Sequence, residues 1–373
     1  MKIGFDAKRA FSNRAGLGNF SRNTIQALCR FYPQNEYFLF TPDTKQDMFS
    51  PPANSMIRIP QNIVWKALKP VWRRYHISKI INREKIDIYH GLSHELPVGI
   101  EKTDVKSIVT IHDLIFIRYP EYYRAADRRI YMQKFVHACT MADRIHAISH
   151  QTKNDIVEFF NISERKIEVI YQSCNPLFYE RFSEEEKAET FKKYNLPDFF
   201  LLSVGTVEKR KNLMNVLDTM VKYKIDVPLV VAGRKTGYMY EIDDFIQKNK
   251  KRLNVYFLEG TSDRELGALY QSAEMLVYPS VFEGFGLPVI EAQASGCPVV
   301  TSRSASMPEA GGEGAVYVNP VSSEEIADAI LKILSEGEYR QAMIEQGHRN
   351  AGRFTPELFT QQMDKLYTRI YNV

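Results

Sequence analysis

Two glutamates separated by seven residues, in Glu283-Gly284-Phe285-Gly286-Leu287-Pro288-Val289-Ile290-Glu291, are the strongest chemical signal in the chain. They follow an apolar run, Met275 to Tyr278, that reads as a strand. Gly284 and Gly286 let the backbone come close to a ligand, and Pro288 suits the first turn of a helix running to Ser295. The amides that open such a helix would face a phosphate. Glu291, one turn further in, can accept two hydrogen bonds from a vicinal diol, which is what a ribose presents. A bare Glu-x7-Glu is more often a glycine-rich loop before a buried helix, with solvated carboxylates. Here both stand in one specific context.

Three further clusters are candidates. Lys209-Arg210-Lys211 follows Gly205 at the end of a second apolar run and precedes a helix from Leu213. Cations at a helix N-terminus oppose its dipole, so an anionic partner, and not a role in stability, would explain them. His112-Asp113 ends the run Ser107 to Ile111, at the carboxyl edge where α/β sheets bind ligands. A lone histidine there is more often a strand cap than a reactive group. Gly16-Leu17-Gly18 reads as a loop between a strand and a helix from Phe20, and Ser21 in place of a third glycine removes the dinucleotide fingerprint. No Asp-x-Asp and no His/Cys cluster with metal spacing occurs, so no metal and no resident cofactor are expected.

Elements to position these residues recur along the whole chain. At 373 residues, with 44% hydrophobic and 25% charged, it is globular and too long for one core. Strand patterns at Lys2 to Asp6, Tyr37 to Phe40, Ile86 to His90, Ser107 to Ile111, Arg144 to Ile148 and Ile167 to Tyr171 alternate with helical ones at Phe20 to Tyr32, Tyr122 to Ala142 and Gln151 to Phe160. A polar joint, Asn175 to Ser183, precedes a second alternation with strands near 200–204, 229–232, 255–258, 275–278, 298–301 and 315–318. The reading is α/β, two Rossmann-like doubly wound domains, residues 1–176 and 177–354.

The net charge of +4 is too small for a general polyanion binder, and no nucleic-acid partner is expected. Four scattered cysteines, no signal-peptide pattern and no long apolar run suggest a cytoplasmic chain. Residues 65–85 combine Trp65, Leu68, Val71, Trp72, Ile77 and Ile80 with seven cations and one acid. That segment is either a core helix with a solvated charged face, interrupted at Pro70, or a patch for an anionic inner membrane or a lipid diphosphate.

The stretch Tyr278-Pro-Ser-Val-Phe-Glu-Gly-Phe-Gly-Leu-Pro-Val-Ile-Glu-Ala resembles the signature of the retaining glycosyltransferase family 4 (glycosyl transferases group 1). Similarity continues through residues 292–302, 307–312 and 203–213, and it extends over nearly the whole chain. The resemblance implies the GT-B fold, two domains facing a cleft, with a C-terminal helix, residues 355–373, returning to the first domain. It implies that Glu283 holds the donor sugar's hydroxyls, Glu291 the ribose, and Arg210 and Lys211 the diphosphate. Gly205, Gly260, Gly284, Phe285, Gly286 and Leu287 would line the nucleotide sugar, and Gly16 and Gly18 would admit its phosphate. His112 would position the sugar and stabilise the transition state. Two positions depart from the family: Thr206 and Asn19 stand where relatives carry arginine, leaving Arg14 or Arg22 as substitutes for the latter. The implied reaction is hexose transfer, foremost mannose from GDP-mannose, onto a saccharide or lipid-linked saccharide in surface polysaccharide synthesis. Alternatives are UDP-glucose, UDP-galactose or UDP-N-acetylhexosamine as donor, a nucleotide-sugar epimerase, and a nucleotide-sugar-binding protein without catalysis.

Overall fold

The computed structural model describes residues 1–44 and 48–372. The chain divides into two compact units, Met1–Ser173 with Pro356–Val373, and Cys174–Thr355. Each unit is built around one wholly parallel sheet.

The first unit contains β1 (Lys2–Asp6), β2 (Glu36–Phe40), β3 (Ser55–Arg58), β4 (Ile88–Gly91), β5 (Lys106–Ile111), β6 (Arg144–Ala147) and β7 (Ile167–Val169), in the order β3-β2-β1-β4-β5-β6-β7. Ile3 lies opposite Tyr37 on one side and Ile88 on the other, so the winding direction reverses between β1 and β4. At such a switch point the loops leave the carboxyl ends in opposite directions and open a crevice. β3 has no counterpart among the expected strands. It lies at the sheet edge and is only partly buried, so its apolar residues do not alternate. The last helix, Pro356–Tyr371, buries Phe359, Met363, Leu366, Tyr367 and Ile370 against Ile3, Phe5, Leu39 and Ile88. Their spacing of three and four residues makes one helical face.

Three expectations for this unit need correction. Gly16 and Gly18 lie in the first turn of the helix Gly16–Phe31, not in a loop ahead of it. The tight packing there needs glycine, since a Cβ on Gly18 would fall 1.8 Å from the Asn13 carbonyl oxygen. The helix expected from Tyr122 begins at Ala125, after a 3-10 turn opened by Pro120. Residues 63–83 form four short helical pieces, Ile63–Ala67, Lys69–Val71, a π-helical turn at Trp72–His76, and Ile77–Arg83. Trp72 is 1% exposed in the core, and Arg73 is paired inward with Asp6 and Glu95, so neither faces a membrane. Burying the Trp72 indole in the core removes a large apolar surface from water.

The second unit contains β8 (Leu201–Val204), β9 (Leu229–Ala232), β10 (Val255–Leu258), β11 (Met275–Tyr278), β12 (Val299–Ser302) and β13 (Ala315–Val318), in the order β10-β9-β8-β11-β12-β13. Here the winding reverses between β8 and β11, where Leu201 lies opposite Met275. All four residues of β9, β11 and β12 are buried, as expected of parallel strands covered on both faces. The joint near Asn175 belongs to this unit and contains a 3-10 turn, Pro176–Tyr179, that sets Phe178 edge-on against Tyr270. All four cysteines are buried and unpaired. Among the described residues no helix is long and apolar enough to cross a membrane.

Candidate active site

The two loops that leave β8 and β11 flank the switch point of the second sheet, and topology therefore brings residues 205–211 to residues 279–286. Backbone hydrogen bonding ties the loops together, with the Val281 N–H donating to the Arg210 carbonyl at 2.9 Å. Arg210 returns a bond from Nη1 to the Phe282 carbonyl at 2.6 Å. Between them sits the Glu283 carboxylate, its Oε2 2.7 Å from Arg210 Nη1 and its Oε1 2.7 Å from Lys211 Nζ. Tyr278, the last residue of β11, donates its hydroxyl to Glu283 Oε1 at 3.0 Å and also touches Lys211 Nζ. Three of the expected residues thus meet in one buried cluster.

The electrostatics follow from this contact. Burial by itself would raise the Glu283 carboxyl, but the Lys211 and Arg210 charges outweigh it and hold the group down at about 2. Burial pushes the Tyr278 hydroxyl up to about 12, and the Glu283 charge adds to the shift, so the phenol stays protonated and donates. The run has carboxylate partners within the protein: Arg210 and Lys211 pair with Glu283, and Lys209 with Glu241 at 2.9 Å. The run itself is a 3-10 turn, Lys209–Lys211. Two cations against one deeply buried carboxylate leave an excess of positive charge, which Glu208 at 2.5 Å from Arg210 Nη2 moderates from a more exposed position.

The glycine-rich loop leads directly into the next helix. Gly286 has φ +120, a backbone conformation that L side chains rarely adopt, so the backbone demands glycine, while a Cβ there would only push aside the flexible end of Met307, 2.5 Å away. Ser306 Oγ lies 2.8 Å from the Glu283 and Phe285 carbonyls and fixes the loop from below. The helix Leu287–Ala294 then begins with Pro288 in its first turn. Glu291 lies on this helix, half-buried, and accepts from Tyr270 Oη at 3.2 Å. Burial raises its carboxyl to about 7, and the nearby Asp263 charge adds to the rise. Gly260, at φ +71, precedes the helix Asp263–Ser272 that carries Tyr270.

In the first unit His112 follows β5, 5% exposed. Its Nε2 lies 3.0 Å from the Leu92 carbonyl, so this nitrogen carries the proton and donates. Phe20 meets the ring edge-on at 4.6 Å. Burial depresses the imidazole to about 4, leaving it neutral at pH 7. Asp113 Oδ1 accepts from the Ile115 N–H at 3.1 Å and holds the loop. Arg22 donates from Nη1 to the carbonyls of Ala10 and Asn13 at 2.9 and 2.8 Å, so its guanidinium is engaged in fixing the loop ahead of its own helix. Arg14 also has interaction partners in the structure. Among the described residues no group of three or more His, Cys, Asp or Glu could hold a metal ion.

Sequence reasoning did not single out Tyr278, Tyr270 or Ser306. Tyr278 was legible only as the end of a strand; a hydrogen-bonding residue where a buried strand meets a glycine-rich loop is the signal that could have marked it.

Comparison with known proteins covers both units. The family model described as "Glycosyl transferases group 1" matches residues 185–350, and that described as "Glycosyltransferase Family 4" matches residues 16–176. The chain is 29% identical to the Escherichia coli O-antigen chain mannosyltransferase B over 75% of this chain and 74% of that one. It is 30% identical to the Salmonella typhimurium O-antigen chain mannosyltransferase RfbU over 60% of each. Among solved structures, Anabaena Alr3699/HepE in complex with UDP-glucose has a TM-score of 0.78 at 15% identity, covering 99% of this chain and 100% of that one.

Proposed function

Because the chain belongs to the glycosyltransferases of group 1 and family 4, with the GT-B fold, we propose that it transfers mannose from GDP-mannose to a hydroxyl of a saccharide or lipid-linked saccharide in surface polysaccharide synthesis. The O-antigen mannosyltransferases among its relatives support this choice of sugar and pathway class. The observation that carries the chemistry is the convergence of Arg210 and Lys211 on Glu283 at the switch point of the second sheet.

In this reading the bond between the sugar's anomeric carbon and the diphosphate oxygen breaks as the acceptor oxygen attacks from the same face. The acceptor proton passes to the departing phosphate, and the products are a glycoside of retained configuration and a nucleoside diphosphate. Arg210 and Lys211 stabilise the negative charge that grows on the diphosphate, which is the contribution of fixed cations in a buried site. Glu283, ionised and held between them, accepts from the sugar hydroxyls, and Glu291 accepts from the ribose. The amides at the start of Leu287–Ala294 face the phosphates. His112, neutral at pH 7, is assigned to positioning the sugar and stabilising the transition state, as the family resemblance implies. No divalent metal is needed in this scheme.

We further propose contact with an anionic membrane surface, carried by fewer groups than residues 65–85 suggest. Ile63, Val64, Leu68, Val71 and Tyr75 are exposed, at 85, 59, 46, 40 and 50% respectively, and Lys66, Arg74 and Lys79 are exposed among them. Each cation near such a surface contributes about 1 kcal/mol, giving weak and salt-sensitive association.

Incubation with GDP-mannose, UDP-glucose, UDP-galactose and UDP-N-acetylglucosamine, with and without EDTA, tests the reaction. The expected result is acceptor-dependent release of GDP from GDP-mannose that persists in EDTA. Release from a UDP-sugar alone would replace the donor, a C2 epimer without transfer would replace the reaction, and loss in EDTA restored by magnesium would refute metal independence.

A further inference from the structure

Among the described residues of the first unit, Lys85, His94 and Asn161 are the non-glycine residues with positive φ. His94 has φ +61, in the left-handed region that non-glycine residues occupy uncommonly. Such strain concentrates at sites of function.

The surroundings are specific. β4 ends at Gly91, where a Cβ would lie 2.1 Å from the Glu95 carbonyl oxygen, so the chain folds back on itself over residues 91–95. Glu95 is clamped by Arg73 Nη1 at 2.5 Å and Lys134 Nζ at 3.1 Å, and Arg73 is in turn held by Asp6 at the carboxyl end of β1. The His94 N–H donates to the Thr110 carbonyl at 3.0 Å, and the preceding Leu92 carbonyl accepts from His112 Nε2. The loop is thereby fixed to the ends of three neighbouring strands, β1, β4 and β5.

What this framework presents is an imidazole. The His94 ring stacks on Phe135 with centroids 4.4 Å apart and lies 5.0 Å from the His112 ring. Its Nδ1 accepts from the His112 backbone N–H at 3.4 Å, which puts the proton of the neutral ring on Nε2. Burial, the adjacent His112 and Arg9 all keep the ring neutral. Nε2–H is then a donor without a protein acceptor among the described residues, on a half-buried residue. A neutral donor, oriented by stacking and backbone strain, suits an uncharged hydroxyl better than a phosphate, which the cationic cluster of the other unit already fits.

We propose that His94 binds a hydroxyl of the acceptor sugar through Nε2–H, as a residue that positions the acceptor. This inference rests on the glycosyltransferase reading. With GDP-mannose as donor and methyl α-mannoside as acceptor probe, His94→Phe, which keeps an aromatic ring against Phe135 and lacks the donor, should raise the acceptor KM by about tenfold, the order of one lost hydrogen bond. His94→Gln, whose amide nitrogen reaches the same place, should recover part of the loss. Affinity for GDP should stay within twofold in both. Should His94→Phe not fold, His94→Gly, at home at this φ, takes its place and should show the same rise in KM. An acceptor KM within twofold of the parent for the variant without a donor, or equal impairment in His94→Gln, overturns the inference. A parent protein that makes no dimannoside overturns the transfer reading itself, and this inference with it.

Discussion

Removing the Glu283 charge should separate its two tasks, holding the cations and meeting the sugar. In Glu283→Gln the Arg210 and Lys211 charges lose a carboxylate whose pKa the pair holds at about 2 against an ordinary 4.5. That difference of about 2.5 units corresponds to about 3 kcal/mol at neutral pH. It agrees with the general loss of about 3–5 kcal/mol when one partner leaves a buried ion pair. The pair qualifies for this treatment because the side chains of Glu283, Arg210 and Lys211 are only 11, 15 and 17% exposed. For a unit of this size about 3 kcal/mol lowers Tm by roughly 6–12 °C.

The pH dependence has a definite sign. A depressed carboxyl contributes its full stability above the unfolded value near 4.5 and loses it as the pH falls towards 2, because the unfolded chain takes up the proton first. Calorimetric melting of parent and variant at pH 7, 4 and 3 should therefore show a gap that narrows only below about 4.5. Both tryptophans of the chain, Trp65 and Trp72, lie in the first unit, so the fluorescence-detected transition is an internal control that should stay in place. A Tm difference below about 2 °C at pH 7, or one of constant size down to pH 3, would refute the ion-pair argument. GDP affinity should persist in the variant while turnover falls, since the cations remain and the sugar contact does not.

Three further outcomes are expected. Arg210→Ala and Lys211→Ala should each lower turnover by about 10- to 1000-fold through lost charge stabilisation of the leaving diphosphate, and single-turnover kinetics at parental rates would exclude that role. Affinity for the nucleotide sugar should rise with pH through about 7, as Glu291 ionises among Asp263, Tyr270 and Lys211 and becomes the better acceptor for the ribose; titration calorimetry at pH 6 and 8 should find this dependence in the parent and not in Glu291→Gln. Flotation with anionic vesicles at low salt should weaken in Lys66→Glu/Arg74→Glu, whereas the inward-facing Arg73 is unsuitable for the test because its removal would strand Asp6 and Glu95; equal flotation of parent and variant would dismiss the membrane surface.

Much of this protein is local in its determinants and was legible residue by residue. Short β-branched runs separated by amphipathic stretches imply parallel strands under helices, and every strand of the second unit lies within a residue of its expected place. The glycines, Pro288 and the two glutamates act through backbone freedom, helix initiation and carboxylate chemistry, which depend on type and spacing within one loop. Edges and contacts between distant segments were not legible. β3 is held by pairing with β2, because an edge strand lacks the alternation that a buried face imposes. Trp72 and Arg73 resembled a surface patch because a linear segment does not reveal that Asp6, 67 residues earlier, waits at the end of β1. Glu283 and Lys211 could be named individually, but their contact, and the protonation states that follow from it, required the reversal of winding that sets β8 beside β11. The neutral imidazoles of His94 and His112 likewise depend on burial, and their orientation on the His112 N–H and the Leu92 carbonyl, which only the folded sheet brings together.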